Sequence, residues 1–296
     1  MSADPGAVLI TGCSSGIGRE TARRLAGRGW TVYATARRPD SIAALAAEGC
    51  KLLALDVNDE ESMAAAVAEV EDAEGAVGAL VNNAGYSQSG ALETLPLEKL
   101  RAQFETNVFG LVRMCQLVLP KMRAAGRGRI VNVGSMGGKL TFPGGGAYHA
   151  TKYSLEAISD ALRYEVAGFG VRVVLIEPGL ITTNFGETAA GSLVDAEQPA
   201  ASSGDPYGPF NAAVGAATVG VYKGPMARLG GGPDRVAKTI ERAISTRNPK
   251  PRYKVTASAR LAIGQRRLLP DRAWDAVMRS QFPRPGTEGK GKVGDR

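Results

Sequence analysis

The chain has 296 residues, 44% hydrophobic and 22% charged, with a formal net charge of +7. That balance suits a globular protein with a sizeable core, and with no run of about 18 apolar residues a membrane-spanning helix is not expected. Its three cysteines, Cys13, Cys50 and Cys115, lack paired spacing and His149 is the sole histidine, so a disulfide framework, a metal cage and a catalytic zinc centre are all unexpected.

The opening "MSADPGAVLITG" lacks the basic flank and long apolar stretch of a secretory signal, so a soluble chain in the reducing cytoplasm is expected. Short apolar runs then alternate with helical patterns, the order that builds βαβ units. Strands are predicted over 7–11, 31–36, 51–57 and 78–83, separated by helices from "GIGRE" to about Gly29, over 40–48 and over 59–72. A long helix follows Pro96, with a bend predicted at Pro120. "RIVNVGS" and "VRVVLIEPG" read as strands buried on both faces, joined by a helix that carries Tyr148 and runs to about Gly168. The fold class is therefore α/β, a single Rossmann-type doubly wound parallel sheet with helices on both faces, spanning residues 1–282.

Residues 187–232, rich in Gly, Ala, Ser and Pro, show no periodicity and are predicted to be an irregular substrate lid. A helix over 233–245, a strand at "RYKVT" and a terminal helix at "LLPDRAWDAVMRSQF" follow, and 283–296 reads as a disordered tail. Residues 260–296 hold nine Lys/Arg against four carboxylates. Without interleaved aromatics or a helix-turn-helix pattern, this is read as a solvated face and not as a nucleic-acid site. Peripheral membrane association through this basic, amphipathic end is the less favoured alternative.

"TGCSSGIG" places Gly12, Gly16 and Gly18 after the first strand and at the mouth of a helix, where backbone N–H groups can receive a pyrophosphate. The spacing differs from the generic G-x-G-x-x-G, so an ordinary glycine-rich turn stays open. The second strand ends "YATARRPD", with Arg37 present and no carboxylate before Asp40, which favours the 2′-phosphate of NADP(H) over NAD(H).

Tyr148 and Lys152 lie four residues apart and so share a helix face. A free tyrosine, with a pKa of about 10, needs a nearby cation to exchange protons at neutral pH, and Lys152 can supply it. Ser135, at a strand end, can fix a substrate oxygen, and Asn107, a poor helix former in mid-helix, is a candidate for positioning a water. Each also has an ordinary structural reading: a turn serine, a helix-bonded asparagine, an amphipathic pair. His149, about 100° round the helix from Tyr148, is taken as structural or solvent-facing.

Together "TGCSSGIG", "LDV", "NNAG", "TNVFG", "GS", "YHATK" and "EPGLITT" resemble the short-chain dehydrogenases/reductases along nearly the whole chain. The resemblance implies an oxidoreductase with Asn107, Ser135, Tyr148 and Lys152 as catalytic tetrad, Tyr148 as acid/base and Lys152 also on the nicotinamide ribose. It implies cofactor contacts from Gly12, Ser14, Ser15, Gly16, Ile17 and Gly18, from Asp56 and Val57 at the adenine, and from Asn83, Ala84 and Gly85. Pro178, Gly179, Ile181 and Thr183 complete that set towards the carboxamide, and a homodimer or homotetramer on the two long helices is implied. "VYATARRPD", "EPGLITTNF" and "PKPRYKV" with "LLPDR" resemble the hydroxysteroid and retinol dehydrogenase-like branch, which implies a small apolar alcohol, ketone or aldehyde as substrate. The pocket is expected between 86–91, 136–142 and the lid. The alternative from another class is a non-catalytic NADP-binding sensor or scaffold on the same fold.

Overall fold

The computed structural model describes residues 6–183, 185–196 and 206–286. Its strands are β1 (Val8–Ile10), β2 (Val32–Ala36), β3 (Lys51–Ala54), β4 (Ala79–Asn82), β5 (Gly128–Val133), β6 (Val171–Glu177) and β7 (Arg252–Lys254). They form one sheet in the order β3-β2-β1-β4-β5-β6-β7, every pair parallel. Continuous apolar strands such as β1 can exist only where both faces are covered. Leu9, Leu80 and Ile130 point to one face and pack with Met63, Val67, Met114, Val118 and Leu155. Those partners come from α3 (Glu60–Glu74), α5 (Gly110–Ala124) and α6 (Gly146–Glu165). Ile10, Val81 and Val131 point the other way, onto Leu25 of α1 (Gly16–Ala26) and Val236 and Ile240 of α9 (Pro233–Ser245).

Local chemistry sets the helix ends. Asp59 caps α3 by accepting from the N–H groups of Glu61 and Ser62, and Gly75 at φ 82° ends it. Pro233 opens α9, where a missing N–H costs nothing. The helix predicted over 40–48 is a short 3₁₀ turn, Pro39–Ile42, followed by α2 (Ala44–Ala47).

Three expectations are corrected. The helix after Pro96 is divided into α4 (Leu97–Phe104) and α5 by a π turn at Glu105–Phe109, while Pro120 lies inside α5. A π turn widens the helix by one residue, and here it falls where the Asn107 side chain bonds outwards to the backbone of Tyr86. Residues 187–232 are not irregular where described. They contribute to α7 (Phe185–Ala196) and form α8 (Gly208–Gly220) and a 3₁₀ turn at Pro225–Leu229, with 197–205 outside the described residues. Alanine is the best helix former, and a segment without a charged face gives pattern reading little to detect. Finally, the C-terminal region holds two helices, α10 (Ala257–Leu268) and α11 (Asp271–Gln281), where one was predicted. Thr256 caps the first by accepting from the Ala259 N–H, and Pro270 separates the pair. Of the predicted tail, 287–296 lies outside the described residues.

Ile130 is fully buried in β5 between α5 and α6. Ile130→Ala should lower unfolding stability by about 2–5 kcal/mol, read from urea denaturation, with the far-UV spectrum of the native state unchanged.

Candidate active site

Strand order reverses direction between β1 and β4, and in such sheets the loops leaving the strand ends part to form a crevice at that point. The crevice here is a cleft of about 1540 Å³ walled by the segments that follow β1 to β6. Gly12, Ser14, Ser15, Gly16 and Ile17 line it after β1, Arg37 after β2, and Asp56 and Val57 after β3. Asn83, Ala84 and Gly85 follow β4, Ser135 follows β5, and Pro178, Gly179, Ile181 and Thr183 follow β6. Tyr148 and Lys152 enter from α6. Gly18 and Asn107 stand behind this wall, each supporting a residue that lines it.

Polar bonds knot the two strand ends at the reversal. Thr11 Oγ1 accepts from the N–H groups of Asn83 and Ala84, both at 3.0 Å, and Asn83 Nδ2 donates to the carbonyls of Thr11 and Gly12, both at 2.9 Å. Gly12, at φ 73°, takes a conformation that side chains disfavour. A Cβ on Gly18 would sit 2.3 Å from the Gly12 carbonyl oxygen, so glycine there lets α1 close onto the turn. Ser15 makes no side-chain cap to α1, and the first turn holds no acid. The helix therefore offers open N–H groups and its positive dipole end to the cleft, which fits a dinucleotide pyrophosphate.

Ser135, Tyr148 and Lys152 converge on the far side of the same floor. Ser135 accepts from the Gly137 N–H at 3.0 Å and shares a hydrogen bond with the Tyr148 hydroxyl. Burial pushes the Tyr148 phenol up to about 12; the Ser135 bond opposes that rise and neighbouring Tyr222 adds to it. Lys152 Nζ lies 5.7 Å from the Tyr148 ring centroid and donates to the Val133 carbonyl at 3.0 Å. Burial pulls this ammonium down to about 8. Desolvation thus leaves the phenol protonated at neutral pH beside a lysine close to its ionisation point.

His149 is structural and buried. Its Nε2 accepts from the Phe142 N–H at 3.2 Å, so Nδ1 donates to the Gly137 carbonyl at 2.9 Å, and burial lowers its pKa. The neutral ring thereby pins the 137–142 wall against α6. Asn107 performs a similar clasp. Its Oδ1 accepts from the Tyr86 N–H at 3.0 Å, and its Nδ2 donates to the Tyr86 carbonyl at 2.9 Å and Thr151 Oγ1 at 3.1 Å. The side chain considered for holding a water also places the 86 loop and α6.

The other half of the cleft is apolar. Phe142, Val214, Val221, Met226, Trp274 and Phe282 line it, with the Tyr222 ring among them. Tyr222 was not legible in the sequence, because it lies in the Gly/Ala-rich stretch; Gly186 is its one clue, since a Cβ there would meet the Tyr222 ring at 2.6 Å. The α7–α8 segment is fastened to the opposite wall by polar bonds. Gln88 Nε2 donates to the Ser192 carbonyl, the Ser89 N–H donates to Ser192 Oγ, both at 3.0 Å, and the Ala91 N–H donates to Asn211 Oδ1 at 3.2 Å.

Behind Lys152, one helical turn on, Glu156 Oε2 accepts from Lys139 at 2.6 Å and Arg252 at 2.9 Å. Glu177 is fully buried beside it. Among the described residues neither Glu177 oxygen nor Glu156 Oε1 has a hydrogen-bond donor, and Arg252 Nε stands 3.9 Å from Glu177. Burial first, and then the neighbouring Glu156, raise the Glu177 carboxyl to about 7. A proton on Glu177, donated to Glu156, satisfies the pair.

The position of Tyr148 defines the class. A buried tyrosine between a glycine-turn cleft and an apolar chamber fits a nicotinamide-dependent oxidoreductase of the Rossmann type. Residues 6–191 match the short chain dehydrogenase family, and the chain belongs to that family. It is an oxidoreductase enzyme, which sets aside the non-catalytic scaffold. It is 35% identical over 272 residues to the uncharacterized oxidoreductase YbbO of Escherichia coli (strain K12), covering 92% of this chain and 93% of that one. It is 41% identical over 182 residues to the 3-ketodihydrosphingosine reductase of Bacteroides thetaiotaomicron, covering 61% and 66%. Among solved structures it resembles a short-chain dehydrogenase from Streptomyces avermitilis, with TM-score 0.73, 35% identity and coverage of 93% and 97%. It also resembles a serine dehydrogenase complexed with NADP+, with TM-score 0.71, 26% identity and coverage of 84% and 94%. No helix among the described residues is long and apolar enough to cross a membrane.

The Glu177 pair generates a stability prediction. The native state binds this proton more tightly than the unfolded chain, so its stabilisation is complete below the ordinary carboxyl range and is lost as pH rises through about 7. Glu177→Gln, whose amide can donate to Glu156 at any pH, should remove that loss. At about pH 8 the variant should be the more stable protein, by on the order of 1–3 kcal/mol in urea denaturation.

Proposed function

We propose that the protein catalyses reversible hydride transfer between NADP(H) and an apolar substrate of steroid or retinoid type, interconverting a secondary alcohol with its ketone or a primary alcohol with its aldehyde. The observation that carries this reading is the Ser135–Tyr148 hydrogen bond, buried with Lys152 where the cradle meets the apolar chamber. Gly12, Ser14, Ser15, Gly16 and Ile17 would hold the pyrophosphate end, Asp56 and Val57 the adenine, and Lys152 the nicotinamide ribose. Ile181 and Thr183 would hold the carboxamide. The bound nicotinamide supplies the hydride.

In the reductive direction Ser135 holds the substrate oxygen and Tyr148 donates its proton to it. The Lys152 ammonium stabilises the phenolate left behind, and its bond to the Val133 carbonyl keeps it aimed at the ring face. Asn107 acts by placing the Tyr86 segment and, through Thr151, α6. Desolvation by the lid strengthens each of these charge interactions.

Arg37 is exposed at the end of β2 and lines the cleft, with no carboxylate before Asp40, which supports NADP(H) over NAD(H). The similar serine dehydrogenase structure holding NADP+ supports the same preference. The relative named for 3-ketodihydrosphingosine reduction supports a ketone substrate. Exposed Phe109 at the head of α5 and Tyr153 on α6 support a homo-oligomer built on the long helices.

With an apolar ketone and NADPH, Tyr148→Phe should lower kcat by about a hundredfold or more while NADPH still quenches or enhances fluorescence as in the parent protein. Turnover near the parent rate would overturn the assignment. Arg37→Ala should raise KM for NADPH by about tenfold and leave KM for NADH unchanged, since only the former carries the 2′-phosphate.

A further inference from the structure

The C-terminal helix pair closes the apolar end of the cleft with its inner face. Ile263, Trp274 and Met278 pack with Leu140, and Ala262, Trp274 and Met278 reach the cleft wall. The outer face of α10 has an unusual arrangement. Leu261 is 45% exposed and Leu268 84% exposed, and residues seven apart lie within about 20° of one another around a helix. The two leucines therefore form one outward stripe, with Gly264 between them. Arg260 and Arg267, also seven apart and both exposed, run alongside. Arg272, just past the Pro270 turn, is exposed as well. No acid occurs within Ala257–Leu268, and Asp271, the nearest, is paired with Arg266 at 2.6 Å.

We propose that this outer face of α10 docks on an anionic lipid surface, with the leucines entering the headgroup layer and the arginines meeting lipid phosphates. Leucines at the centre of a solvent-facing arc gain nothing from water or from a nucleic-acid backbone, whereas a bilayer interface rewards both groups at once. A second copy of the chain on the same face would set Arg260 and Arg267 against like charges. The cleft adds a second observation. Leu261 and Gln265 of α10 belong both to the exposed arc and to the cleft wall, so docking here brings the mouth of the apolar chamber to the membrane. The docking goes beyond the reductase reading and does not depend on it.

The test is co-sedimentation of the full-length protein with vesicles of phosphatidylcholine, with and without phosphatidylglycerol. Binding is expected only to the anionic vesicles, weakening as salt screens it. The double variant Arg267→Glu, Leu268→Gln, at two positions outside the cleft wall, should bind at least about tenfold more weakly while keeping turnover of a water-soluble ketone. Arg272→Glu alone should weaken binding less. Failure to sediment with phosphatidylglycerol, or equal sedimentation of parent and double variant, would overturn the proposal. So would a change of oligomeric state in the double variant, by sedimentation velocity, without vesicle binding by the parent. Because binding is read without turnover, a protein that docks but fails to transfer hydride would count against the reductase reading alone.

Discussion

A lysine ammonium taken out of water must be met by a fixed acceptor, or it gives up its proton. Lys152 meets the Val133 carbonyl at the end of β5, and that single contact demands that α6 lie at one depth against the sheet. The sheet enforces that depth elsewhere. Asn82 Nδ2 donates to Asn132 Oδ1 across β4 and β5, and Asn132 Nδ2 donates to Ser159 Oγ on α6, both at 3.0 Å within the core. Buried amides joined in series tolerate little sliding, because any slip leaves a polar group unpaired. Tyr148 is thereby held against Ser135.

The walls of the cleft follow from the same economy of polar contacts. His149 ties the 137–142 segment to α6, and Asn107 ties the Tyr86 segment to the π turn and, through Thr151, to α6. These two residues flank the tyrosine and hold the segments on either side of it. The α7–α8 segment differs in kind. It rests on a small apolar cluster, Ala91, Leu193, Phe210 and Val214, and on bonds to Ser192 and Asn211. Few buried contacts mark the elements that open at low free-energy cost. A rigid floor beneath a lightly fastened α7–α8 segment leaves the two sides of the cleft unequally held.

The parallel sheet and its glycine turn were legible because each is a local pattern. Apolar runs such as "AVLIT" need only their own residues to be read as buried strands, and "TGCSSGIG" carries its reason in the glycines themselves. Tyr148 and Lys152 were legible for the same reason, since four residues fix a helical face. Helices α7 and α8 were hidden because alanine-rich segments form helices without announcing a face. The π turn was hidden because its partner, Tyr86, lies far away in the chain.

The sequence by itself determined the alternation of strands and helices and the shared helix face of Tyr148 and Lys152, since these rest on spacing within single elements, and its motifs along the chain carried the family resemblance. Only the tertiary structure decided their states. Burial raised the Tyr148 phenol and lowered the Lys152 ammonium, paired Glu177 with Glu156, and turned Asn107 and His149 into clasps. It also left Leu261 and Leu268 facing outwards. Desolvation and contact across the fold have no local signature, because they depend on what the rest of the chain brings within a few ångströms.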